Sequence, residues 1–210
     1  MNELLTQLQS NPAAWAALGL AYLLGAVPFG LIITKVFLGY DVRTQGSGNI
    51  GMTNVMRTGG KLPGIATFLL DFSKGLLPVM LAEVAFGLPS DLIAFSAVLA
   101  VLGHTRSLFL GFKGGKGVAT NFGVWAWLDW RVFVLTALTW ALVFVLKRIS
   151  SLSALCALLL LAPLAYLFNG AGPVFAAALA MALYIITLHY QNILRLVRGE
   201  EGRLQSKDTP

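Results

Sequence analysis

Long apolar stretches recur along nearly the whole chain, at about residues 12–36, 65–87, 91–110, 117–128, 131–146, 152–168 and 173–191. A helix needs roughly 20 mostly apolar residues to cross a bilayer. Of the 210 residues, 57% are hydrophobic and 11% charged, whereas a soluble domain carries about 25% charged residues. Such a chain has too little polar surface to cover itself in water. The expected fold is all-α, a polytopic integral membrane bundle of seven transmembrane helices. Residues 1–11 contain Glu3 and no Lys or Arg, while a signal peptide needs a basic leading region; the first stretch is therefore read as a retained spanning helix. The single cysteine, Cys156, lies in an apolar run, which excludes a disulfide framework or a cysteine metal site.

The basic residues set the orientation, because cytoplasmic loops collect Lys and Arg. With seven spans, one side receives Lys35, Arg43, Arg57 and Lys61, then Arg106, Lys113 and Lys116, then Lys147 and Arg148, then Arg195, Arg198, Arg203 and Lys207. The other side has Arg131 as its only base, with Glu3, Asp91 and Asp129, and Lys74 falls within a span. The N-terminus is therefore expected outside and the C-terminus in the cytoplasm. Residues 1–199 form one membrane domain, and residues 200–210 a polar cytoplasmic tail expected to be disordered. The short stretch 117–128 must tilt little, thin the bilayer or be re-entrant.

Polar chemistry gathers on the basic side. The stretch Gly111-Phe112-Lys113-Gly114-Gly115-Lys116-Gly117 pairs backbone freedom with two fixed positive charges, as a seat for an anion requires. Thr120 and Asn121 follow one turn into the next helix, whose N-terminus would face that anion. The first connection carries Gly46, Ser47, Gly48, Asn49, Thr53 and Asn54, short donors and turn-formers that can aim successive N–H groups at one point. Arg57 adds a guanidinium suited to phosphate or carboxylate. Asp71 and Lys74 share a helix face within the second span, where charges usually face the interior or a polar cavity. They and His104, just before the anion seat, are candidate supports. Ser153 follows Lys147 and Arg148, and His189 and Asn192 share a face at the end of the last span.

Several chemistries are excluded. Leu110 and Gly117 occupy the positions where a nucleotide-binding loop needs its first Gly and its Ser or Thr. Gln45 breaks any hydrolase elbow around Ser47. Two His and scattered carboxylates make no metal cluster. The His-x4-Asp signature of common glycerolipid acyltransferases is absent, since Phe109 follows His104 and Leu194 follows His189 at that spacing. What remains is positioning and charge neutralisation of an anionic substrate, without a covalent intermediate.

The run from Gly46 to Asn54, the Leu70-Asp71-x-x-Lys74-Gly75 element, Gly103-His104 with Phe109 and Phe112-Lys113-Gly114-Gly115-Lys116-Gly117-Val118-Ala119-Thr120, and His189-x-x-Asn192-Ile193-x-Arg195-Leu196 with Gly199-x-Glu201 together resemble the bacterial acyl-phosphate-dependent glycerol-3-phosphate acyltransferases (PlsY type). The resemblance runs in order over nearly the whole chain. It implies a seven-helix inner-membrane enzyme that transfers a fatty acyl group from acyl phosphate to the 1-hydroxyl of glycerol 3-phosphate, giving lysophosphatidate and phosphate. It also implies roles. Ser47 and its neighbouring amides would hold acyl phosphate; Arg57 and Lys116, with Lys113 beside them, would bind phosphate groups; His189 and Asn192 would orient substrate; Ser153 would bind it too. No cofactor, metal or nucleic-acid partner is expected; the partners are the two substrates and membrane lipids. The rival reading, a transporter of a small anion, predicts polar groups through the full membrane depth and often an internal repeat. It accounts for Asp71 and Lys74 within a span, but the polar residues lie mostly on one side and no repeat is visible.

Overall fold

The computed structural model describes residues 11–202, and every regular element among them is helical. Helix α1 (Pro12–Ala26) starts on Asn11, whose side chain accepts from the Ala13 amide at 3.1 Å, with Pro12 in the first turn. Helix α2 (Phe29–Leu38) follows at a 41° bend. The sequence reading takes 12–36 as one continuous helix; Pro28 breaks it. Proline drives the residue before it out of the helical region, and Val27 sits at φ −59°, ψ 120°. A one-turn segment (Val42–Thr44) and short α3 (Met52–Gly59) lead to α4 (Lys61–Val84), α5 (Ser90–Thr105), another single turn (Leu108–Leu110) and α6 (Val118–Leu128). Asp129 caps α7 (Trp130–Lys147), accepting from the Arg131 amide. Helices α8 (Ser150–Asn169) and α9 (Pro173–Leu188) follow, and a 60° bend at His189 opens α10 (Tyr190–Val197).

Four helical segments, Lys61–Val84, Ser90–Leu110, Trp130–Lys147 and Ser150–Asn169, are long and apolar enough to cross a membrane, and six are if each bent pair counts once. Helix α6 is the exception. Its 11 residues rise about 16 Å, roughly half of a 30 Å hydrocarbon core. It nevertheless occupies the centre of the bundle: Val124 and Trp125 are fully buried among Val79, Val101, Leu158, Met181 and Ile185 from α4, α5, α8 and α9. Helix α7 is peripheral and exposes Leu138, Leu142, Val145 and Leu146, a surface suited to lipid rather than water.

The position of α6 follows from two glycine contacts. A Cβ on Gly75 would lie 2.0 Å from the Thr120 carbonyl oxygen, and one on Gly123 would lie 1.9 Å from that of Phe72. Lipid gives little hydrophobic drive between helices, so close approach at small residues supplies the packing. Gly75 therefore anchors the start of α6 deep along α4. At 1.5 Å per residue, Asp71 is about 15 Å along α4 from Lys61. The connection between α5 and α6 is exposed over residues 108–113 except for half-buried Leu110, and enters the bundle at Gly114–Gly117; α6 is short because it begins there. At the opposite end, Trp127 donates to Glu83 at 2.6 Å, and Asp129 accepts from Arg131 and from Asn169.

Gly75→Ala and Gly123→Ala should each lower the apparent melting temperature in detergent, since overpacking such a contact costs about 1–3 kcal/mol. Gly19, with nothing within 4 Å of its would-be Cβ, serves as control, and Gly19→Ala should melt with the parent. Fluorescence-detected size exclusion after heating reads both. Equal melting of Gly75→Ala and Gly19→Ala would refute the packing account.

Candidate active site

The 111–117 stretch lies flat on the end of α5. The Gly115 amide donates to the His104 carbonyl at 3.1 Å, and that of Gly114 to the Thr105 carbonyl at 3.0 Å. A Cβ on Gly114 would lie 1.9 Å from the His104 oxygen, so only glycine permits this approach. Ser107 holds the stretch from below, its hydroxyl donating to the Ala26 carbonyl at 2.6 Å while its own carbonyl accepts from the Phe112 amide. Gly117, at φ 87°, is the N-cap of α6 and provides no side-chain cap. The first amides of α6 thus have no side-chain cap, as the N-terminus of a helix requires if it is to take an anion. Lys113 projects into solvent, and Lys116 is half-buried.

Lys116 reaches the last helix. Its Nζ donates to Asn192 Oδ1, while Asn192 Nδ2 donates to Glu201 Oε1 at 2.5 Å. Glu201 also accepts from the Ser151 hydroxyl at 2.6 Å and from Arg195 Nε at 2.6 Å. One wall thus runs through Lys116, Asn192, Glu201, Ser151 and Arg195. His189 stands at the bend of the last helix, buried, with Nδ1 2.8 Å from the Ile185 carbonyl. A carbonyl only accepts, so Nδ1 carries the hydrogen and the neutral ring offers Nε2 as an acceptor.

The second wall is the 46–57 segment. Asn54 is buried and organises it: its Oδ1 accepts from the Ser47 amide at 2.9 Å, and its Nδ2 donates to the carbonyls of Gln45 and Asn49 at 3.0 and 2.9 Å. Asn49 Oδ1 accepts from the Gly51 amide at 2.8 Å, just before α3. Gly46 and Gly48 have positive φ, 57° and 71°, and a Cβ on Gly46 would lie 2.3 Å from Asn54 Oδ1. Ser47 and Arg57 are exposed, with their side chains unpartnered among the described residues. The walls meet through α8, where the Thr53 and Ser150 hydroxyls are 2.9 Å apart, one residue from Ser151.

The structure sorts the sequence candidates. Ser47, Arg57, Lys116, His189 and Asn192 gather at one end of the bundle with functional groups available or paired to one another. Asn54 instead commits both its polar atoms to shaping the loop, and Asn49 commits its Oδ1. Ser153 is fully buried and donates to the Ile149 carbonyl of its own helix at 2.9 Å; the hydroxyl that faces the site is that of Ser151. Thr53 bridges the two walls. Asp71, Lys74 and His104 are buried beneath the 111–117 stretch. Glu201, assigned by sequence to a disordered tail from residue 200, is held by three side chains, so the ordered chain extends past that boundary; residues 203–210 lie outside the described residues. Ser150, Ser151 and Glu201 are the members that residue-by-residue reasoning missed. The one available signal for Glu201 was its place in the Gly199-x-Glu201 element.

Charge tunes the Lys116 wall. Burial pulls the Lys116 ammonium from 10.5 down to about 8, Glu201 pushes it back up, and Arg195 lowers it. Burial alone would raise the Glu201 carboxyl, but hydrogen bonds from Ser151, Asn192 and Arg195 hold it below its ordinary value. Lys116 therefore carries its charge below about pH 8 and loses it above, so anion affinity is present at neutral pH and lost as pH rises. A phosphate monoester, with its second pKa near 6, is already dianionic there. Binding of a small alkyl phosphate, followed by titration calorimetry, should weaken by about tenfold per pH unit above pH 8. Glu201→Gln should shift that limb to lower pH, and Lys116→Arg should abolish it. An affinity flat from pH 7 to pH 9.5 would refute the role of Lys116.

The geometry has counterparts. Residues 15–199 match the family model described as glycerol-3-phosphate acyltransferase. Curated proteins of that name are similar to the chain throughout. The one from Cereibacter sphaeroides is 44% identical over 188 residues, covering 90% of this chain and 88% of the relative. That from Ruegeria is 47% identical over 189 residues, covering 90% and 92%. Among solved structures, the glycerol 3-phosphate form of PlsY (YgiH), an integral membrane glycerol 3-phosphate acyltransferase, superposes with a TM-score of 0.87 at 39% identity, covering 92% of this chain and 96% of that one. Its lysophosphatidic acid form gives 0.84 at 38% identity, covering 91% and 95%.

Proposed function

This chain belongs to the glycerol-3-phosphate acyltransferase family, of the PlsY type, and from that premise we propose that it acylates the sn-1 hydroxyl of glycerol 3-phosphate using acyl phosphate as donor. The products are 1-acylglycerol 3-phosphate and inorganic phosphate, the first acylation of phospholipid synthesis. In this reading the bundle crosses the bacterial inner membrane seven times, with α6 as the fourth span. The N-terminus lies outside, and the site faces the cytoplasm.

The observation that carries the proposal is the contact of Lys116 with Asn192. It ties the Lys116 loop to the last helix, which connects through Glu201, Ser151 and Ser150 to Thr53 of the 46–57 segment; in this proposal two anions are held between these walls. The donor phosphate lies against Ser47 and its neighbouring amides, with Arg57 as counter-charge. The phosphate of glycerol 3-phosphate lies against Lys116 and the first amides of α6. His189 and Asn192 orient the acceptor, with Nε2 of His189 free to take a hydrogen bond from its hydroxyl. The acceptor oxygen attacks the acyl carbonyl carbon, and the bond from that carbon to the phosphate oxygen breaks. Phosphate leaves with the electron pair and takes up the hydroxyl proton, so no covalent enzyme intermediate, cofactor or metal is required. The task is electrostatic: two unit charges 4 Å apart repel by roughly 4 kcal/mol at an effective dielectric near 20. Lys116 and Arg57 offset that repulsion, Arg195 being paired with Glu201, and positioned groups act without reorganising during the step.

Purified protein supplied with labelled glycerol 3-phosphate and acyl phosphate should yield lysophosphatidate and phosphate. Lys116→Ala and Arg57→Ala should abolish transfer while the protein still inserts. Ser151→Ala should lose about tenfold in rate, near 1.4 kcal/mol, and Ser153→Ala should stay within about twofold, because its hydroxyl serves its own helix. Near-parental transfer by either cation variant would refute the charge account. Anion uptake into vesicles without product would favour transport.

A further inference from the structure

Beneath the glycine-lysine stretch lies a buried cluster that the reaction itself does not touch. Asp71, Lys74 and His104 are each at most 4% exposed. Lys74 Nζ is 2.8 Å from Asp71 Oδ1 and donates to the Val27 carbonyl at 2.6 Å. The approach to Asp71 is a charge contact, since Oδ1 has no hydrogen-bond partner of good geometry among the described residues. His104 Nδ1 is 3.7 Å from the same oxygen, beyond hydrogen-bond reach. The other edge of the ring faces upward. A Cβ on Gly115 would lie 2.2 Å from His104 Nε2, 3.0 Å from Cε1 and 3.3 Å from Cδ2. The imidazole therefore fills the space a side chain at 115 would occupy, and the backbone of the residue before Lys116 rests on it.

We infer that His104 is a positioning residue for the anion loop: its ring, seated beside Asp71, fixes the height at which the Gly115 backbone presents Lys116 to the acceptor phosphate. The inference rests on the proposed acyltransferase reading. It accounts for three features at once. Gly115 is buried with no side chain because the ring is there. Asp71 and Lys74 are tolerated in an apolar interior because they compensate each other and wall in the ring. Lys74, through the Val27 carbonyl, also braces the bend that sends α2 toward the other wall, where a Cβ on Gly30 would lie 1.8 Å from the Ile50 oxygen. His104 acts on one wall, and Lys74 touches the supports of both.

A double-mutant cycle in nanodiscs tests this, with KM measured separately for glycerol 3-phosphate and acyl phosphate. Gly115→Ala should raise the acceptor KM about tenfold, and His104→Ala about threefold to tenfold, with donor KM within twofold in both. The double variant should recover at least about threefold relative to Gly115→Ala, because the new methyl enters the vacated space; contacting residues couple in this way and distant ones do not. Where His104→Ala fails to insert, His104→Asn takes its place in the cycle. Independent effects in the double variant, or a donor KM that rises as far as the acceptor KM, would overturn the positioning role. A parent protein that forms no lysophosphatidate would instead overturn the acyltransferase reading, which separates the two failures.

Discussion

A lysine ammonium enclosed in an apolar bundle must be compensated where it stands, and the rest of this structure is arranged around that requirement. Lys74 cannot reach an aqueous surface from its place along α4. Losing one partner of such a pair leaves an uncompensated charge, which costs several kcal/mol. Asp71 supplies the counter-charge, and the carbonyl of Val27 accepts a hydrogen bond from the ammonium. That carbonyl is available because Pro28 interrupts the first spanning segment, so the break and the buried cation satisfy each other. The helix that carries Lys74 also carries Gly75, and Gly75 admits the start of α6. One turn of α4 thus sets the bend of the first span, the depth of α6 and the floor of the glycine-lysine stretch.

From that floor the electrostatics of the site follow. The proposed reaction brings two anions together and needs positive charge, yet unpaired cations brought together would repel each other and mobilise the loops. Glu201 resolves this within the Lys116 wall. It gathers Ser151, Asn192 and Arg195 around one carboxylate and keeps Lys116 charged near neutrality against its own burial. The facing wall uses a different device. Its order comes from a neutral amide, Asn54, whose polar atoms are consumed by the backbone of the 42–49 segment, leaving Ser47 and Arg57 unconstrained toward a ligand. One wall is pre-paired and stiff; the other is shaped by hydrogen bonds and keeps its donors open.

Hydropathy made most of the helices legible in the sequence, because apolar length is what a bilayer selects. It could not show where those helices stop being straight. The break at Val27 turns on one proline inside an otherwise suitable run, and the bend at His189 falls where the pattern is still half apolar. The polar clusters were legible as a set through their density and their side. Their internal division of labour was not. Ser151 and Ser153 are both hydroxyls in a first helical turn, and only the rotation of α8 decides that one meets Glu201 and the other its own helix. Asn54 reads as a donor for a ligand until the loop closes around it. Glu201 reads as tail because it follows a glycine and precedes a polar run, yet the turn at Gly199, with φ 71°, brings it back beneath Arg195.

The shortness of α6 is the feature that joins fold and chemistry. A connection that stayed at the membrane surface would have given a full-length fourth span and a site open to bulk water. Here the chain after α5 returns into the bundle at Gly114–Gly117, and an 11-residue helix completes the distance. The glycines that allow this are matched to particular obstacles: the Thr120 carbonyl at Gly75, that of Phe72 at Gly123, that of His104 at Gly114 and the imidazole at Gly115. An anion bound at the N-terminus of α6 would then lie below the level of the helix ends, with apolar helices around it. Such a position suits a reaction between a water-soluble phosphate and a donor whose head is charged and whose tail is lipid. In the proposed reaction the charged head of the donor would descend to the recessed loop while its tail stayed among the apolar helices, and the lower local dielectric would strengthen each contact that Lys116 makes.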